Sequence, residues 1–428
     1  MTRRWEGGLL VGAAALAGFG VVLVNLAAGG GFDLEAGVTV LVFGLAFGLM
    51  FAAVQMWAPG ASPLLLPCAA LLAAIGFAEI YRLAPVRAGL QRWWLLIASM
   101  AGCAILFALR KVGLEPLRRY RFLLITLAGI MLLLPLLATS GPLPIHGVEV
   151  NGSRLWVQID LGAIQMFFQP GEVAKLLFVV FLASYLADRA ASVPAFVRPA
   201  PGLEMRQLAP LLLVWAASVG VLVFQRDLGA SLLLLGVFVG MLYAATGRKR
   251  YPLVGLGLMA VGAAAAVFLF PHVQRRFVAW LAPFANFEDA GYQIAQAWFG
   301  MSSGSLSGSG LGLGRPDFIP LAETDFIFAA LGEELGFAGT AALLGAFLLF
   351  VAVGLGIALR SRDPFRKLLT GGLTLLVGLQ TFLIIGGVLR LVPVTGLPLP
   401  FTSYGGSAMV AGFMLLALML RASHEESQ

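Results

Sequence analysis

Charged residues are scarce in this chain of 428 residues: they make up 11% of it, against about 25% in an ordinary soluble domain. Hydrophobic residues make up 60%. Because a soluble fold of this length needs a charged surface, the composition excludes soluble, disordered and collagen-like proteins and indicates a membrane protein. The only cysteines, Cys68 and Cys103, lie inside apolar runs, which argues against a disulfide scaffold. The three histidines are too scattered to suggest a zinc site.

The small excess of basic residues has a topological interpretation. Basic residues outnumber acidic residues by 28 to 21. In a soluble protein this net charge of +7 would suggest a nucleic-acid partner. In a polytopic membrane protein, however, lysine and arginine collect in cytoplasmic loops. The excess therefore predicts orientation, and we expect no nucleic-acid partner.

Apolar runs of about 20 residues, long enough to span the hydrocarbon layer, recur along the chain. Twelve candidate runs lie near residues 8–28, 36–58, 61–80, 93–109, 121–139, 170–187, 208–224, 228–246, 252–270, 326–358, 367–389 and 403–420. They predict an all-α polytopic membrane protein with about 12 transmembrane helices. The first run follows Arg3 and Arg4 but lacks a clear small-residue cleavage site, so we interpret it as a retained helix.

Loop charge predicts that both termini are cytoplasmic. With that topology, 18 of the 28 basic residues lie inside and nine outside, while Lys175 lies within a helix. One predicted outer loop, residues 81–92, disagrees with this topology because it carries three arginines. Two long hydrophilic connections, roughly 140–169 and 271–325, fall on the outer face, where long loops tend to carry function.

Polar residues gather at the predicted outer ends of five helices. Ionisable groups in spanning segments are costly, so each is a functional hypothesis. The group comprises Glu172 and Lys175, Asp227 after Gln225 and Arg226, Asp325 with Glu333 and Glu334, Arg390, and Ser403 to Gly406. Their common depth predicts one site, whereas structural caps and pairs would be scattered. Since nothing before residue 140 belongs to the group, we expect the chemistry in the C-terminal two thirds.

Several members also have a purely structural interpretation. Asp325 and Asp227 could cap the helices that they precede. Glu172 and Lys175 stand three residues apart on one helix face and could form a structural ion pair. The stretch from Ser302 to Gly310 consists almost entirely of serine and glycine and could be a flexible linker.

Ordered motifs over roughly residues 150–420 resemble the SEDS family of cell-wall polymerases, which includes RodA and FtsW. Each motif is weak alone, but their order is specific. They are Gln169-Pro170-Gly171-Glu172 with Lys175, Gln225-Arg226-Asp227-Leu228-Gly229, Gly291-Tyr292-Gln293, the glycine-rich loop Ser302 to Gly314, Thr324-Asp325-Phe326-Ile327-Phe328, Gly332-Glu333-Glu334-Leu335-Gly336, and Pro398 to Gly406.

The resemblance implies a membrane glycosyltransferase that polymerises lipid II into glycan strands on the outer face of the cytoplasmic membrane, for cell elongation or division. It implies that Asp325 is catalytic and a ligand of a divalent cation, Mg²⁺ or Mn²⁺, and that Glu172 and Lys175, which we also assign to catalysis, lie close to it. It also implies a class B penicillin-binding protein, the crosslinking transpeptidase, as partner. We assign substrate binding to Gln169, Arg226, Asp227, Ser403, Tyr404 and Gly405.

The chain departs from the family pattern at several positions. Gly171 and Arg226 replace a serine and a proline of two motifs, and Leu321 and Glu323 replace a glutamate and a histidine. The family has ten spanning helices, three of them before the first long outer loop, whereas five runs precede it here. We therefore expect residues 1–120 to include two extra helices and residues 121–428 to form the SEDS catalytic core.

The chemistry requires a base for the attacking sugar hydroxyl and a counter-charge for the departing lipid pyrophosphate. Asp325 could be the base, and Lys175, Arg226 or bound Mg²⁺ the counter-charge. Two other functions stay open. A lipid II flippase predicts ionisable residues near the midplane and on both sides of the membrane. A noncatalytic scaffold for the transpeptidase predicts that Asp325 is dispensable.

Overall fold

The computed structural model describes residues 4–31, 33–137, 145–150, 153–160, 165–191 and 205–428. Among these residues, ten helices are long and apolar enough to cross a membrane, and two shorter apolar helices cover Arg121–Leu137 and Leu208–Phe224. All twelve coincide with the apolar runs of the sequence. The predicted class, an all-α polytopic membrane protein, is confirmed.

Helices dominate the described residues. In chain order, α1 to α15 are Arg4–Ala27, Leu34–Trp57, Leu65–Leu83, Pro85–Leu109, Glu115–Arg119, Arg121–Leu137, Pro170–Ala191, Met205–Phe224, Leu228–Thr246, Arg250–Leu269, Pro271–Leu281, Tyr292–Gly304, Ile327–Arg360, Pro364–Val388 and Gly406–Glu426. A 3-10 turn covers Pro316–Phe318. The strands β1 (Ile145–Val150), β2 (Ser153–Asp160) and β3 (Gln165–Phe168) form an antiparallel sheet in that order, which the sequence did not predict.

The predicted outer loop at residues 81–92 is wrong. Helix α3 continues to Leu83 and α4 begins at Pro85, so a single residue, Ala84, separates them. Proline suits the first position of a helix because its missing N–H has no intrahelical acceptor there. Consequently the arginines that opposed the charge pattern belong to two helix ends rather than to an exposed loop.

Contacts group the chain into two units. Unit 1 comprises Met1–Phe107, Gly262–Val353 and Gln380–Leu420. Unit 2 comprises Ala108–Val261, Gly354–Leu379 and Arg421–Gln428. The division expected near residue 120, with two extra N-terminal helices, stays a prediction.

Buried phenylalanines form much of the core of unit 1. The ring centroids of Phe43 and Phe77 lie 5.3 Å apart, and those of Phe47 and Phe413 lie 5.5 Å apart. Such pairs contribute about 0.5–1.5 kcal/mol beyond the burial of their area. They connect α2 to α3 and α15. Helix α3 also carries Gly76, where a side chain would collide with the backbone of Thr402, so the segment before α15 packs directly on it.

In unit 2, the buried helix α7 packs against its neighbours on several sides. Asp188 pairs with Arg118, at 2.8 Å, and with Arg121, which ties α7 to α5 and to the start of α6. Gly372 of α14 lies against Met241 of α9 and Val179 of α7. The absent side chain therefore allows these three helices to approach closely.

Helix α13 is interrupted at Gly336, whose φ of 68° and ψ of −168° are not helical. Backbone groups released inside an apolar helix need other partners because lipid offers none. Here the residues after α12 supply them. The Phe337 N–H donates to the Ser305 carbonyl at 2.9 Å, and the Ala338 N–H donates to the Leu306 carbonyl at 3.0 Å.

The serine-rich and glycine-rich stretch is therefore ordered by hydrogen bonds. Its first residues, up to Gly304, belong to α12. Further along, the backbone N–H groups of Ser309 and Gly310 donate to the carbonyls of Glu333 and Glu334, each at 3.0 Å. Interpreting this stretch as a flexible linker is wrong, since it completes the hydrogen bonding of the broken helix.

We expect Gly336→Ala to lower the free energy of unfolding by about 1–3 kcal/mol or more, because it strains a left-handed φ and drives a Cβ into the Gly308 backbone. The measurement is thermal unfolding of the purified protein in detergent. Gly345→Ala is the matched control in the same helix, since a Cβ there meets nothing within 4 Å. Equal unfolding temperatures for the two variants would contradict this account of the break.

Candidate active site

Asp325 lies in a tight turn of unit 1, directly before α13. The turn reverses at Leu321, which has a φ of 57°, unusual for a residue with a side chain. The N–H groups of Thr324 and Phe326 both donate to the Leu321 carbonyl, at 3.1 and 3.3 Å. Helix α13 begins only at Ile327. The aspartate therefore lies two residues before the helix and does not occupy the capping position that the sequence left open.

The segment before α15 holds this turn in place. The buried Ser403 hydroxyl donates to the Thr324 carbonyl at 2.5 Å and accepts from the Leu399 N–H at 2.9 Å. The Tyr404 N–H donates to the Glu323 carbonyl at 2.9 Å. Two residues that we assigned to substrate binding thus fix the backbone on which the aspartate stands.

Helix α4 supports the same turn from the N-terminal part of unit 1. The Arg87 guanidinium pairs with the Glu323 carboxylate and lies 5.6 Å from the centroid of the Tyr404 ring. The Gly405 N–H donates to Gln91 Oε1 at 3.4 Å. Residues before 140 therefore help to hold the turn, which the sequence did not predict, whereas the location of the chemistry in the C-terminal two thirds stays a prediction. The pair with Arg87 also accounts for Glu323, at a position where the family carries histidine.

The environment of the Asp325 carboxyl group favours basicity. The residue is half-buried, and this burial raises its pKa to about 6. Arg276 and a hydrogen bond from the Thr324 hydroxyl act in the opposite direction, while the nearby Glu323 carboxylate raises the pKa further. A carboxyl group with this pKa is largely ionised at neutral pH, yet it binds a proton more readily than a fully solvated aspartate does.

Arg276 is a charged neighbour of Asp325 that sequence reasoning missed. It lies on α11, inside the connection 271–325 that we expected to be a loop. A Cβ placed on Gly396 would be 3.3 Å from Arg276 Nη2 and 3.6 Å from Asp325 Oδ2. The only sequence signal was a pair of arginines in a short amphipathic segment that begins with proline.

The two glutamates at the α13 break bind backbone N–H groups. Glu333 Oε1 accepts from the Arg315 N–H at 2.6 Å, and Glu334 Oε2 accepts from the Gly312 N–H at 2.9 Å. Glu334 Oε1 also lies 3.3 Å from Nε of Arg82 on α3. These carboxylates therefore organise the glycine-rich loop, which is a structural role.

Arg390 also has structural partners. Its Nε donates to the Trp280 carbonyl at 3.0 Å, and the Trp280 indole donates to the Arg390 carbonyl at 2.9 Å. Its Nη2 donates to the Leu281 carbonyl at 3.1 Å. This arginine thereby fastens the C-terminal end of α11 to the residues after α14.

Glu172 and Lys175 form an ion pair of 2.9 Å in the first turn of α7, with side chains only 6% and 5% exposed. Gln169, half-buried, directly precedes this helix. These residues belong to unit 2 and Asp325 belongs to unit 1. That they lie close together stays a prediction. A buried pair of this kind is strongly destabilised by removal of one partner, because the other charge then stays buried alone.

Asp227 caps α9, since its carboxylate accepts the Ala230 N–H at 2.9 Å. This is the structural interpretation that the sequence left open. Arg226, immediately before it, is exposed and has a φ of 63°. Gln225 is buried and donates to the Leu132 carbonyl at 2.6 Å. Of this motif, Arg226 presents the side chain most accessible to a ligand.

Within the described part of the chain, no group of three or more histidine, cysteine, aspartate or glutamate side chains could hold a metal ion. Asp325 has one other carboxylate close by, that of Glu323, and Arg87 pairs with it. The protein residues at Asp325 therefore do not fit a metal site built from side chains alone.

Known proteins with similar sequences cover almost the whole chain. The model of a cell cycle protein family, that of FtsW, RodA and SpoVE, matches residues 64–428. The peptidoglycan glycosyltransferase RodA of Mycobacterium tuberculosis H37Rv is 39% identical over 443 residues, covering 99% of this chain and 91% of the relative. A probable peptidoglycan glycosyltransferase FtsW of Geobacter sp. M18 is 34% identical, covering 65% of this chain and 73% of the relative.

Solved structures with the same architecture are also similar in sequence. One is from a study of how a peptidoglycan synthase complex coordinates polymerization and crosslinking; it has a TM-score of 0.68 and 28% identity, covering 86% of this chain and 99% of the other. The rod shape determining protein RodA of Thermus thermophilus has a TM-score of 0.59 and 27% identity, covering 86% and 98%.

Proposed function

Because this chain belongs to the FtsW, RodA and SpoVE family, we propose that Asp325 is the general base with which it polymerises lipid II. The family identified from the sequence motifs is confirmed, and so is peptidoglycan polymerisation as its function. The chain is a peptidoglycan glycosyltransferase and a multi-pass membrane protein. The roles of individual residues are our proposal.

The observation that carries this proposal is the setting of Asp325. It is a carboxylate fixed by backbone hydrogen bonds, with a pKa raised to about 6 by burial, next to an exposed glycine, Gly396. A general base works best when its pKa lies near the working pH and its position is fixed. The glycine places no side chain beside the carboxylate, and we propose that a sugar hydroxyl approaches the carboxylate there.

The reaction forms one carbon–oxygen bond and breaks another. A hydroxyl oxygen of one sugar attacks the anomeric carbon of a second, lipid-linked sugar, and its proton passes to the Asp325 carboxylate. The bond from the anomeric carbon to the diphosphate oxygen breaks, and its electron pair leaves with the lipid diphosphate. Asp325 then returns its proton to solvent or to the departing diphosphate, which regenerates the base.

Residues of unit 2 also belong to the proposal, which uses no distance between them and Asp325. We assign Lys175 and Arg226 to electrostatic stabilisation of substrate phosphates, and Glu172 to orienting Lys175 through their ion pair. Gln169 keeps its assignment to substrate binding, and Asp227 holds the start of α9 through its cap. For Ser403, Tyr404 and Gly405, the contacts favour positioning of the Asp325 turn over direct substrate binding.

A divalent cation, Mg²⁺ or Mn²⁺, is part of the proposal only as a partner of the substrate. Mg²⁺ is commonly held by one or two carboxylates together with substrate phosphates. Asp325 would be the protein ligand of the cation, and the cation would neutralise charge on the diphosphate. Polymerisation that continues unchanged in excess chelator would remove the cation from the proposal.

A membrane orientation and a partner protein complete the proposal. Loop charge favours cytoplasmic termini, with Asp325 on the outer face of the cytoplasmic membrane, where a lipid-linked headgroup would meet it. The relative seen in a polymerization and crosslinking complex supports a class B penicillin-binding protein as partner. Co-purification of the two proteins from membranes would test that partnership.

We expect Asp325→Asn to reduce polymerisation by at least about 100-fold, since the amide cannot accept the hydroxyl proton. The measurement is gel analysis of glycan strands made by purified protein from lipid II in detergent. This assay contains no gradient or second compartment, so a flippase would make no strands in it. The matched control is Asp317→Asn, an exposed carboxylate of the same unit, which should retain activity.

Folding of the Asp325→Asn variant is checked by its thermal unfolding temperature. A folded Asp325→Asn protein that extends lipid II at the wild-type rate would disprove the assignment and favour the noncatalytic scaffold. Wild-type protein that makes no strands would instead contradict polymerisation as an activity of the isolated chain.

We expect the rate of polymerisation to fall as the pH is lowered through about 6. The base must be ionised to accept a proton, and burial places the pKa of Asp325 near that value against the lowering effect of Arg276. The measurement is kcat/KM for lipid II between pH 5 and 8. A rate that is constant across this interval, or that rises as the pH falls, would contradict a base with this pKa.

A further inference from the structure

Helix α11 is held firmly at its C-terminal end. The reciprocal hydrogen bonds between Trp280 and Arg390 join it to the residues after α14. The Arg390 guanidinium also lies 5.2 Å from the ring centroid of Trp298, whose indole donates to the Val388 carbonyl at 2.9 Å. A helix fixed in this way can present a side chain one turn earlier at a defined position.

That side chain is Arg276. Its Nη1 donates to the Thr395 carbonyl at 3.1 Å. A guanidinium has five N–H donors in a rigid plane. Among the described residues, this is its one hydrogen bond to protein. The half-buried group is therefore anchored at one nitrogen and keeps donors available for a ligand.

An exposed glycine, Gly396, lies beside both charged groups, since a Cβ there would lie within 3.6 Å of Arg276 Nη2 and Asp325 Oδ2. The two charged groups do not form a direct ion pair, although the charge of the guanidinium lowers the pKa of the carboxyl group. In addition, the buried hydroxyl of Thr395 has no hydrogen-bond partner.

Arg276 and Asp325 thus lie beside the same glycine, whose φ is 74°, without a direct ion pair between them. A planar guanidinium with unused donors suits phosphate oxygens, which it can bind through two parallel hydrogen bonds.

We infer that Arg276 binds the diphosphate of the lipid-linked substrate beside Asp325. The inference rests on the proposed function, because that function supplies the diphosphate substrate and the base Asp325. As the bond to the anomeric carbon breaks, the electron pair that moves to the diphosphate oxygen is stabilised by the guanidinium, while the hydroxyl proton goes to Asp325. Arg276 thereby supplies a counter-charge from unit 1, in addition to those that we assigned to Lys175, Arg226 and a metal ion.

The test compares Arg276→Gln and Arg276→Lys with Arg275→Gln, which removes the exposed arginine one position earlier on the same helix. Equilibrium binding of a labelled polyprenyl diphosphate, a polyprenyl monophosphate and inorganic pyrophosphate is measured in detergent. For Arg276→Gln we expect the dissociation constant of the polyprenyl diphosphate to rise on the order of 10-fold to 100-fold, with a smaller change for the monophosphate. Arg276→Lys should recover part of this loss, and Arg275→Gln should bind as wild type.

Steady-state kinetics with lipid II give a second measurement. Loss of contact to both bound and reacting diphosphate should raise KM and lower kcat in Arg276→Gln. The inference is overturned if Arg276→Gln binds both polyprenyl phosphates as wild type does. It is equally overturned if the variant loses both to the same extent together with thermal stability, as a structural role predicts. Wild-type binding of inorganic pyrophosphate that matches the lipid diphosphate would identify a free-phosphate site instead.

Failure of the proposed function gives a different result. Wild-type protein would then make no glycan, or Asp325→Asn would make it normally, whereas the dependence of diphosphate binding on Arg276 would be unaffected. The binding experiment thus tests the arginine, and the polymerisation experiment tests the base.

Discussion

The hydrogen bonds that hold the turn before α13 are the constraint on which the site depends. Asp325 has no helix of its own to fix it, and its position is set by Ser403 and Tyr404, which bind the backbone of the two preceding residues. Buried backbone groups left without partners cost about 1–3 kcal/mol each, so this connection strongly resists displacement. The connection holds the Asp325 carboxylate in a fixed position before the first residue of α13, where its pKa is raised.

A second polar framework lies within unit 1 at the break in α13. The loop that follows α12 donates backbone N–H groups to the carbonyls and carboxylates of Glu333 and Glu334. In an unbroken helix the carbonyls of Glu333 and Glu334 would accept hydrogen bonds from the helix itself. The glutamates therefore look catalytic in the sequence but serve to order the loop, and the acidic residue left for chemistry in this part of unit 1 is Asp325.

The helices could be predicted from the sequence because length and hydropathy determine them. All twelve apolar runs became helices, and the motif order identified the family. Residues 81–92 were wrongly predicted as a loop because they carry three arginines. In the structure, Arg87 and Arg82 pair with carboxylates on distant segments of the chain. Arg276 was missed for a similar reason: its significance lies in its distance from Asp325 and Gly396, which no local pattern encodes. Likewise, the capping role of Asp227 required the Ala230 contact to distinguish it from a substrate ligand.

The contact between α3 and the loop before α13 has a consequence for biosynthesis. Arg82 donates to the Gly314 carbonyl, a partner 232 residues further along the chain, and pairs with Glu334 beyond it. The same helix carries Glu79, which is fully buried beside Glu334. A chain is synthesised from its N-terminus. The polar side chains of α3 therefore lack these acidic and carbonyl partners until the C-terminal half has been synthesised.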